Sequence, residues 1–391
     1  MKVDIVIVGG GLAGLALAAA LRSSRYSVAV VEGRAPQAPQ SHGELDARVY
    51  AISPANAAFL ADIGIWRHLD ATRLQVVERM EVFGDTSGRI AFSAYDSGVS
   101  ELAWIAESSL LHLELWETVK RQPNVQLLCP AKPEALEMGE YAATLQLADG
   151  RALVADLVVA ADGADSWTRK ALGVEVNFRH YEQLGVVANF ACSKPHRGTA
   201  YQWFINDGEG DGVLAWLPLP GNRISMVWST SKTHGEALCQ LSPEDLCQRV
   251  AAAGQNLLGE LELITPAVGF PLRLMRAPRM VGPRFALVGD AAHAIHPLSG
   301  HGINLGFQDA KVLADTLSGL RPFEHCGDML SLRPYERSRK EEIVALQTMT
   351  DSLQRLFVTQ TGPLVWLRNT GMNLTGKLPV LRDALVRYAL G

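Results

Sequence analysis

The pattern of apolar and polar positions divides the chain into a strand–helix–strand unit at its start and a later region of alternating strands. Residues 4–8 are apolar after Asp4 and predict a buried strand. An Ala- and Leu-rich segment then predicts a helix through Leu21, and residues 28–31 predict a second buried strand. Continuous apolar runs are typical of strands that are covered on both faces of a parallel sheet. The first part of the chain therefore predicts a βαβ unit.

The turn before the first helix carries glycines at the spacing of a dinucleotide site. They are Gly9, Gly11 and Gly14, and Glu32 closes the second strand. Gly9 permits a tight turn, Gly11 lets the backbone approach a pyrophosphate, and Gly14 lets the helix pack on the strand. The helix N-terminus adds free N–H groups, and Glu32 is placed to accept hydrogen bonds from an adenosine ribose. We predict a dinucleotide site; the alternative is a Gly-rich turn in an ordinary βαβ unit.

Further elements follow this unit. In chain order they are a helix at 54–64, a hairpin at 76–97, a helix at 108–121, and a meander of strands at 125–129, 142–147 and 153–160. The last strand runs into Asp162 and Gly163, and doubly wound sheets place their ligands at such carboxyl ends of strands. This pair is therefore a candidate for ligand binding, and a common turn is the alternative.

From residue 174 the pattern changes to alternating, aromatic-rich strands, which predict a second lobe with a mixed or antiparallel sheet. The predicted strands are 184–192, 199–205, 212–219 and 223–230, followed by a helix at 242–257. Trp203, Phe204, Trp216 and Trp228 lie on these strands. They either line an apolar pocket or form the core of the sheet, and for each residue we favour the core.

A further buried strand ends in Gly289 and Asp290, which returns the chain to the first unit. Glycines at 300, 302 and 306 then precede a predicted helix at 310–317, and their backbone N–H groups suit an anionic group or a developing negative charge. Three histidines, at positions 293, 296 and 301, suggest a metal site. We reject it because one of them precedes Pro297 and no carboxylate or thiolate set accompanies them at motif spacing.

Composition narrows the class of protein. The chain has 391 residues, of which 48% are hydrophobic and 20% charged, as expected for a globular protein of two or three lobes. A net charge of -5 argues against a nucleic-acid partner. The five cysteines form no CxxC pair, which favours a reduced, cytoplasmic setting without disulfides. Without a long apolar run, any membrane contact is expected to be peripheral.

The pattern predicts helices at the end of the chain, over 335–357 and 362–391. The last part is basic and amphipathic, which suits either a membrane surface or, as we favour, ordinary packing.

Taken together, the motifs resemble those of the flavoprotein aromatic hydroxylases with the para-hydroxybenzoate hydroxylase fold, and most closely the branch that hydroxylates ubiquinone precursors. The three glycines with Glu32, the Asp162-Gly163 pair and the Gly289-Asp290 pair stand in family order. The branch signature is matched from residue 296 to residue 309, with His301 where the family usually has Gln and a serine at the small position, 299. The resemblance covers essentially the whole chain.

The resemblance implies an α/β fold: a Rossmann-like FAD-binding domain, an inserted mixed β-sheet substrate domain and a helical C-terminal segment. The implied boundaries are 1–75, 98–173 and 280–330 for a discontinuous FAD-binding domain, 76–97 and 174–279 for the substrate-binding sheet domain, and 331–391 for the C-terminal segment.

FAD is the implied cofactor, with NADH or NADPH as a transient co-substrate and O2 as the oxidant. The adenosine is expected at Glu32, the pyrophosphate at Gly11 and Arg48, and the ribityl chain at Asp290. From the sequence alone, a solvated surface role for Arg48 is favoured. The isoalloxazine ring is expected at the turn that includes Gly300, Gly302 and Asn304, and Asp162-Gly163 is expected to serve both FAD and the nicotinamide nucleotide.

The implied reaction is hydroxylation of the aromatic ring of a polyprenylated phenol through NAD(P)H-reduced FAD and a C4a-hydroperoxide. Pro297 is expected to shape the wall near the reacting carbon, and His301 is a speculative candidate for a catalytic base. Further hypotheses are membership of a ubiquinone-biosynthesis complex and peripheral contact with the inner face of the membrane. Three alternatives stay open: a hydroxylase of a soluble phenol, a simple flavin dehydrogenase or oxidase, and a non-catalytic FAD-bound scaffold.

Overall fold

Strands and helices alternate in the first part of the chain, as the βαβ pattern predicts. The structure is a computed structural model that describes residues 1–37, 45–206, 208, 211–295, 302–358 and 362–377. The strands are β1 (Lys2–Val8), β2 (Val28–Val31), β3 (Val49–Ile52), β4 (Gln75–Val77), β5 (Arg79–Phe83), β6 (Arg89–Ser93), β7 (Ala103–Glu107), β8 (Val125–Leu128), β9 (Pro133–Met138), β10 (Ala143–Leu147), β11 (Ala152–Ala160), β12 (Asn177–Cys192), β13 (Thr199–Ile205), β14 (Gly212–Leu219), β15 (Arg223–Ser231), β16 (Leu261–Leu263), β17 (Val268–Arg276), β18 (Val281–Gly282), β19 (Phe285–Leu287) and β20 (His293–Ala294). The helices are α1 (Leu12–Ala20), α2 (Pro54–Asp62), α3 (Ser108–Lys120), α4 (Trp167–Ala171), α5 (Lys232–Gln240), α6 (Pro243–Ala253), α7 (Gly302–Ser318), α8 (Met329–Val358) and α9 (Gly362–Lys377).

The first sheet has a parallel centre in the order β19-β11-β1-β2-β8. The central parts of its strands are apolar because both faces are covered. Ile5 and Ile7 of β1 pack in the core that includes helices α1, α3 and α7. Val6 and Val8 face the opposite way, onto a core shared with the β9–β10 hairpin. The carboxyl ends of β1, β11 and β19 therefore meet at one edge, where ligands of such sheets bind.

The second sheet has nine strands and is mostly antiparallel, with one parallel pair between β5 and β13. Side chains alternate between the two faces of each strand. Even-numbered residues of β12 and β15 join a core beneath α5 and α6, and Trp203, Trp216 and Trp228 are buried in it. Phe204 lies in a separate small core and stacks on Phe357 of α8, with ring centroids 3.6 Å apart. All four aromatic side chains are buried in a core, which agrees with the favoured interpretation.

The structure confirms the α/β class and corrects several element predictions. Residues 125–129 do not join the meander, because β8 pairs in parallel with β2 and completes the first sheet; β9, β10 and β11 form the meander instead. The predicted hairpin at 76–97 is split, since β4 pairs with β7 in a small third sheet while β5 and β6 join the second sheet. A short apolar run does not indicate which strand it pairs with, because that pairing is set by the tertiary structure.

Helix boundaries also differ from the pattern. Helix α7 begins at Gly302, eight residues before the predicted start at 310, so two glycines lie inside it. Glycine is a poor helix former, which hides this first part from the pattern. A Cβ atom at Gly306 would lie 3.4 Å from the Ala13 Cβ of α1, an ordinary contact distance, so the two helices meet at this position. Helix α8 starts at Met329, before the predicted start at 335, and contains Pro334. Helix α6, Pro243–Ala253, is shorter than the helix predicted at 242–257. Residues 378–391, predicted as helical, lie outside the described residues.

The predicted domain boundaries stay a prediction, and the pairing of β20 with β17 carries the second sheet into the range expected for the FAD-binding domain. Within the described part of the chain, no helix is long and apolar enough to cross a membrane.

Helix α9 is fixed to the β5–β6 hairpin by buried polar contacts. Arg368 forms an ion pair with Asp85, and both side chains are almost completely buried. Asn369 donates a hydrogen bond to the same carboxylate at 2.7 Å and accepts one from the Gly88 N–H at 2.8 Å. A Cβ atom at Gly84 would lie 2.3 Å from the Asn369 side-chain oxygen, so this turn has room only for glycine. The end of the described chain is therefore attached to the second sheet.

Replacing Arg368 by Met should lower the free energy of unfolding by about 3–5 kcal/mol, because it leaves the buried Asp85 carboxylate without its cation. Chemical denaturation measures this loss. The matched control is Arg89→Met, which removes an exposed arginine paired with Glu81 on the same hairpin and should cost less than about 1 kcal/mol. Equal losses in the two variants would contradict the buried-pair account.

The same variant should change the response to acid. Burial raises the pKa of Asp85, but hydrogen bonds from Arg368 and Asn369 outweigh it and leave the pKa lowered. Because the folded pKa lies below the unfolded value of about 3.9, the carboxylate stabilises the fold at neutral pH and loses this contribution as the pH falls through the folded pKa. The difference between wild type and Arg368→Met should therefore shrink in acid, and a constant difference would contradict this assignment.

Candidate active site

The glycine turn at the start of α1 has one open position and two closed ones. Gly9 has a φ of +110°, and a Cβ atom there would lie 2.4 Å from the Ala161 carbonyl oxygen. A Cβ atom at Gly14 would lie 2.1 Å from the Gly9 carbonyl oxygen. Gly11 has no atom within 4 Å of its Cβ position, and no side chain caps the helix N-terminus that it begins. Free N–H groups beside open space suit a pyrophosphate, as the sequence predicts.

Glu32 lies beside this turn and still has acceptor capacity. One carboxylate oxygen accepts a hydrogen bond from the Gly10 N–H at 2.6 Å, and the other accepts one from the Arg34 N–H at 3.0 Å. A carboxylate offers about four lone-pair sites, so a ribose hydroxyl can still donate to it. His112 of α3 holds the turn from another side, with its Nε2 atom 2.7 Å from the Gly10 carbonyl oxygen. The sequence gives no sign of this role for His112, since no local motif marks a residue 102 positions away.

Asp162 organises the short chain segment between β11 and α4. Its carboxylate accepts hydrogen bonds from the Ser166 hydroxyl and from the N–H and hydroxyl of Thr168, the last two at 2.9 Å. Gly163 has a φ of +81°, a backbone conformation that favours glycine. Asp162 thus has a clear role in shaping this turn, and the expected contacts of the pair with FAD and the nicotinamide nucleotide stay a prediction.

Arg169 connects the Asp162 turn to the Gly289 turn. Its buried guanidinium donates to the Ala164 carbonyl oxygen at 2.8 Å and to the Ala291 carbonyl oxygen at 2.9 Å. Burial lowers the pKa of Arg169, while the neighbouring Asp162 carboxylate opposes this effect. Two motifs that are distant in sequence are therefore held together by one side chain.

The Gly289 turn packs directly on α1. Gly289 has a φ of +57°, and a Cβ atom there would lie 3.2 Å from the Ala13 Cβ. Asp290 is exposed, yet the protein around it raises the pKa of its carboxyl by desolvation, an effect that His293 and Arg48 oppose. The exposed Arg48 thus lies within electrostatic range of Asp290. The structure brings this arginine, the two glycine turns and Asp290 to the same edge of the first sheet.

A buried ion network lies behind the Gly289 turn. One oxygen of Asp309 accepts hydrogen bonds from the Gly289 N–H at 2.9 Å and contacts the Nε2 atom of His293 at 2.6 Å. The other oxygen accepts from the Nε atom of Arg339 at 2.7 Å. Burial raises the pKa of Asp309, but His293 and Arg339 outweigh burial and lower it. Asp309 therefore carries its charge inside the protein and holds the turn that precedes Asp290.

Asn304 lies in the first part of α7, not in a turn before it. Its side-chain oxygen accepts hydrogen bonds from the Ser53 N–H at 3.0 Å and from Asn56 at 3.1 Å, and its nitrogen donates to the Ala51 carbonyl oxygen at 2.8 Å. Asn304 thus fixes the junction of β3 and α2 to α7. Its expected contact with the flavin stays a prediction, as does that of Gly302, the first residue of α7.

Pro297, Gly300 and His301 lie outside the described residues, so their assigned roles also stay predictions. Among the residues that are described, no group of three or more His, Cys, Asp or Glu side chains is arranged to hold a metal ion. The Nε2 atom of His293, one of the three histidines that suggested a metal site, contacts the Asp309 carboxylate at 2.6 Å.

The second sheet presents a small, partly exposed apolar surface on the face opposite its tryptophan core. Its half-buried members are Val187, Ala215, Leu217 and Val227. Odd-numbered residues of β12 share this face, and among them Asn189 donates a hydrogen bond to the Asp46 carbonyl oxygen at 2.9 Å. Asp46 precedes Arg48 and β3, so this face turns toward the cofactor-binding edge.

Comparison with known proteins agrees with this geometry. The family model described as FAD binding domain matches residues 2–343. The chain is 32% identical over 391 residues to 3-demethoxyubiquinol 3-hydroxylase of Escherichia coli (strain K12), with 99% of this chain and 98% of that protein covered. It is 33% identical over 395 residues to ubiquinone hydroxylase UbiL of Rhodospirillum rubrum, with 99% and 89% covered.

A solved structure shows the same fold. The p-nitrophenol 4-monooxygenase PnpA from Pseudomonas putida superposes with a TM-score of 0.78, and the match covers 100% of this chain and 99% of that chain. At 18% sequence identity, this similarity concerns the fold alone.

Two glycine variants should separate folding from cofactor binding. Gly11→Ala adds a methyl group in open space, so the apoprotein should keep its unfolding free energy within about 1 kcal/mol, as expected for Gly and Ala at a helix end, while FAD affinity falls. Gly14→Ala places the methyl against the Gly9 carbonyl oxygen and should destabilise the apoprotein. Apoprotein denaturation and FAD titration measure the two effects; equal destabilisation by both variants would contradict the assignment.

Proposed function

Because the chain belongs to the FAD binding domain family, we propose that it is an FAD-dependent monooxygenase that hydroxylates the aromatic ring of a polyprenylated phenol, a precursor of ubiquinone. The observation that carries this proposal is similarity over nearly the whole length to two hydroxylases named for ubiquinone chemistry. It supports NADH or NADPH as reductant and O2 as oxidant, the co-substrates that the resemblance implies.

The described residues fit the cofactor. The N–H groups of α1 at Gly11 would hold the pyrophosphate, with Arg48 as its cation, and Glu32 would bind the adenosine ribose. Asp290 would accept hydrogen bonds from the ribityl hydroxyls. When bound, FAD supplies the redox chemistry with NAD(P)H and oxygen, and the protein supplies binding, orientation and exclusion of water.

Charge at the site follows from the helices around it. Helix α7 begins at Gly302, and the N–H groups of its first turn carry partial positive charge. We assign to them the stabilisation of negative charge on the flavin ring, as oxyanion-type donors. Asp290 has the opposite effect on negative charge at the site. Desolvation raises the pKa of its carboxyl, so the position of Asp290 favours hydrogen bonds with neutral hydroxyl groups over further negative charge.

The substrate would lie against the half-buried apolar face of the second sheet, between that sheet and the cofactor edge. Its polyprenyl tail is insoluble in water, so we include peripheral contact with the inner face of the membrane, from the cytoplasm, and association with a ubiquinone-biosynthesis complex. Flotation of the full-length protein with liposomes tests the membrane contact, and its absence would remove that part of the proposal.

Quinone profiling by mass spectrometry tests the function directly. In a bacterial host that lacks its own ubiquinone-ring hydroxylases, expression of this chain should restore ubiquinone or consume one under-hydroxylated intermediate, which also identifies the ring carbon attacked. The Gly11→Ala variant, expressed at the same level, should restore less. If the wild-type protein is expressed and yellow with flavin but the quinone profile is unchanged, a soluble phenol replaces the prenylated substrate.

A further inference from the structure

Asp46 uses every one of its polar groups in hydrogen bonds. Its N–H donates to the Glu107 carboxylate at 2.7 Å, and its own carboxylate accepts from the N–H groups of Arg48 and Ser109, both at 2.9 Å. Its carbonyl oxygen accepts from the Asn189 side-chain nitrogen at 2.9 Å. Asp46 thus connects three parts of the fold: the segment leading into β3, the start of α3, and the second sheet.

Glu107 makes this connection rigid. The Glu107 side chain is 2% exposed and receives two hydrogen bonds from Arg73, at 2.8 and 2.7 Å. A planar guanidinium that engages both oxygens of a carboxylate fixes its orientation as well as its charge. The Asp46 N–H therefore has a fixed partner on the side of the first domain.

Asn189 is equally fixed on the side of the second sheet. It is fully buried on β12, its N–H donates to the Thr265 hydroxyl at 2.9 Å, and its carbonyl oxygen accepts from the Ile264 N–H at 2.8 Å. Its side chain projects from the face of the sheet opposite the tryptophan core and contacts Asp46. Contact between the sheet and the segment before Arg48 is therefore a directed hydrogen bond in addition to packing.

The chemistry of Asn189 indicates what this bond does. Its side-chain oxygen is buried without a hydrogen-bond partner among the described residues, which is unfavourable for an amide. A leucine of similar volume would fill the same space without that cost. The gain from an amide at this position is the bond that it donates to Asp46.

We propose that Asn189 is a positioning residue that acts through Asp46 to hold Arg48 at the FAD pyrophosphate. Seating of the second sheet thereby completes the cofactor site through the hydrogen bond from Asn189 to Asp46. This inference rests on the proposed role of Arg48 and is independent of which aromatic compound is hydroxylated.

FAD titration of the apoprotein, followed by quenching of flavin fluorescence, tests the proposal without turnover. Asn189→Leu should weaken FAD binding roughly five- to tenfold, the range expected for one lost hydrogen bond. Asn189→Asp should weaken it further, because an oxygen then faces the Asp46 carbonyl oxygen. Ser225→Ala is the control: Ser225 is fully buried opposite Asn189 on β15 and should leave the affinity within about twofold, as a site with no bond to Asp46.

A double-mutant cycle with Arg48→Met distinguishes positioning from general stability. If Asn189 acts through Arg48, the double variant Asn189→Leu/Arg48→Met binds FAD no more weakly than Arg48→Met alone. Additive losses, or a loss of apoprotein stability in Asn189→Leu with FAD affinity unchanged, would overturn the inference. An unchanged affinity in Arg48→Met would instead remove the assigned role of Arg48 and the inference with it, while quinone profiling still decides the hydroxylase function.

Discussion

The buried carboxylate of Asp309 holds in place the Gly289 turn, at the edge of the first sheet where we propose that FAD binds. It lies on α7, accepts a hydrogen bond from the Gly289 N–H, contacts the Nε2 atom of His293, and is paired with the guanidinium of Arg339 of α8. A buried ion pair contributes little net stability when it is formed, but removing one partner costs about 3–5 kcal/mol because the other charge is left alone. The network therefore enforces one arrangement of the Gly289 turn rather than adding much to overall stability.

Other parts of the site depend on that turn. Gly289 packs against Ala13 of α1, so the position of the turn is linked to the helix whose N-terminus faces the expected pyrophosphate. Arg169 ties the same turn to the segment after β11. Asp290 is then presented to the open edge, where desolvation and the nearby Arg48 set its charge in opposite directions. A cofactor would thus meet groups that are already oriented, which is how a fold supports redox chemistry that it does not itself perform.

The sequence predicted the local parts of this arrangement well. The glycine fingerprint and Glu32 obey steric rules that act within thirty residues, and the structure gives physical reasons for the closed positions Gly9 and Gly14. The α/β class followed from the same unit, and the burial of aromatic residues such as Trp216 agreed with the favoured interpretation.

The hydrophobic pattern and the local motifs of the sequence do not show which distant residues contact each other. For His293 the sequence suggests only a metal site, which it also argues against, since nothing local marks Asp309 as the partner of His293 or Arg339 as a second partner of Asp309. His112 and Asn189 belong to a helix and a strand whose periodicity reports burial but not the partner across the interface. The early part of α7 is hidden for a related reason: Gly306 lies in contact with Ala13 of α1, and that contact becomes visible only when the helices are brought together.

The central claim is that a buried charge behind the Gly289 turn preorganises the cofactor site, and the direct measurement is the FAD affinity of Asp309→Asn beside that of Asp315→Asn. Both residues lie on α7, but Asp315 is exposed and pairs with Lys311. The account predicts that Asp309→Asn loses FAD affinity and stability, because Arg339 then loses its buried counter-charge, whereas Asp315→Asn behaves as wild type. An Asp309→Asn protein that binds FAD as tightly as wild type would contradict the account.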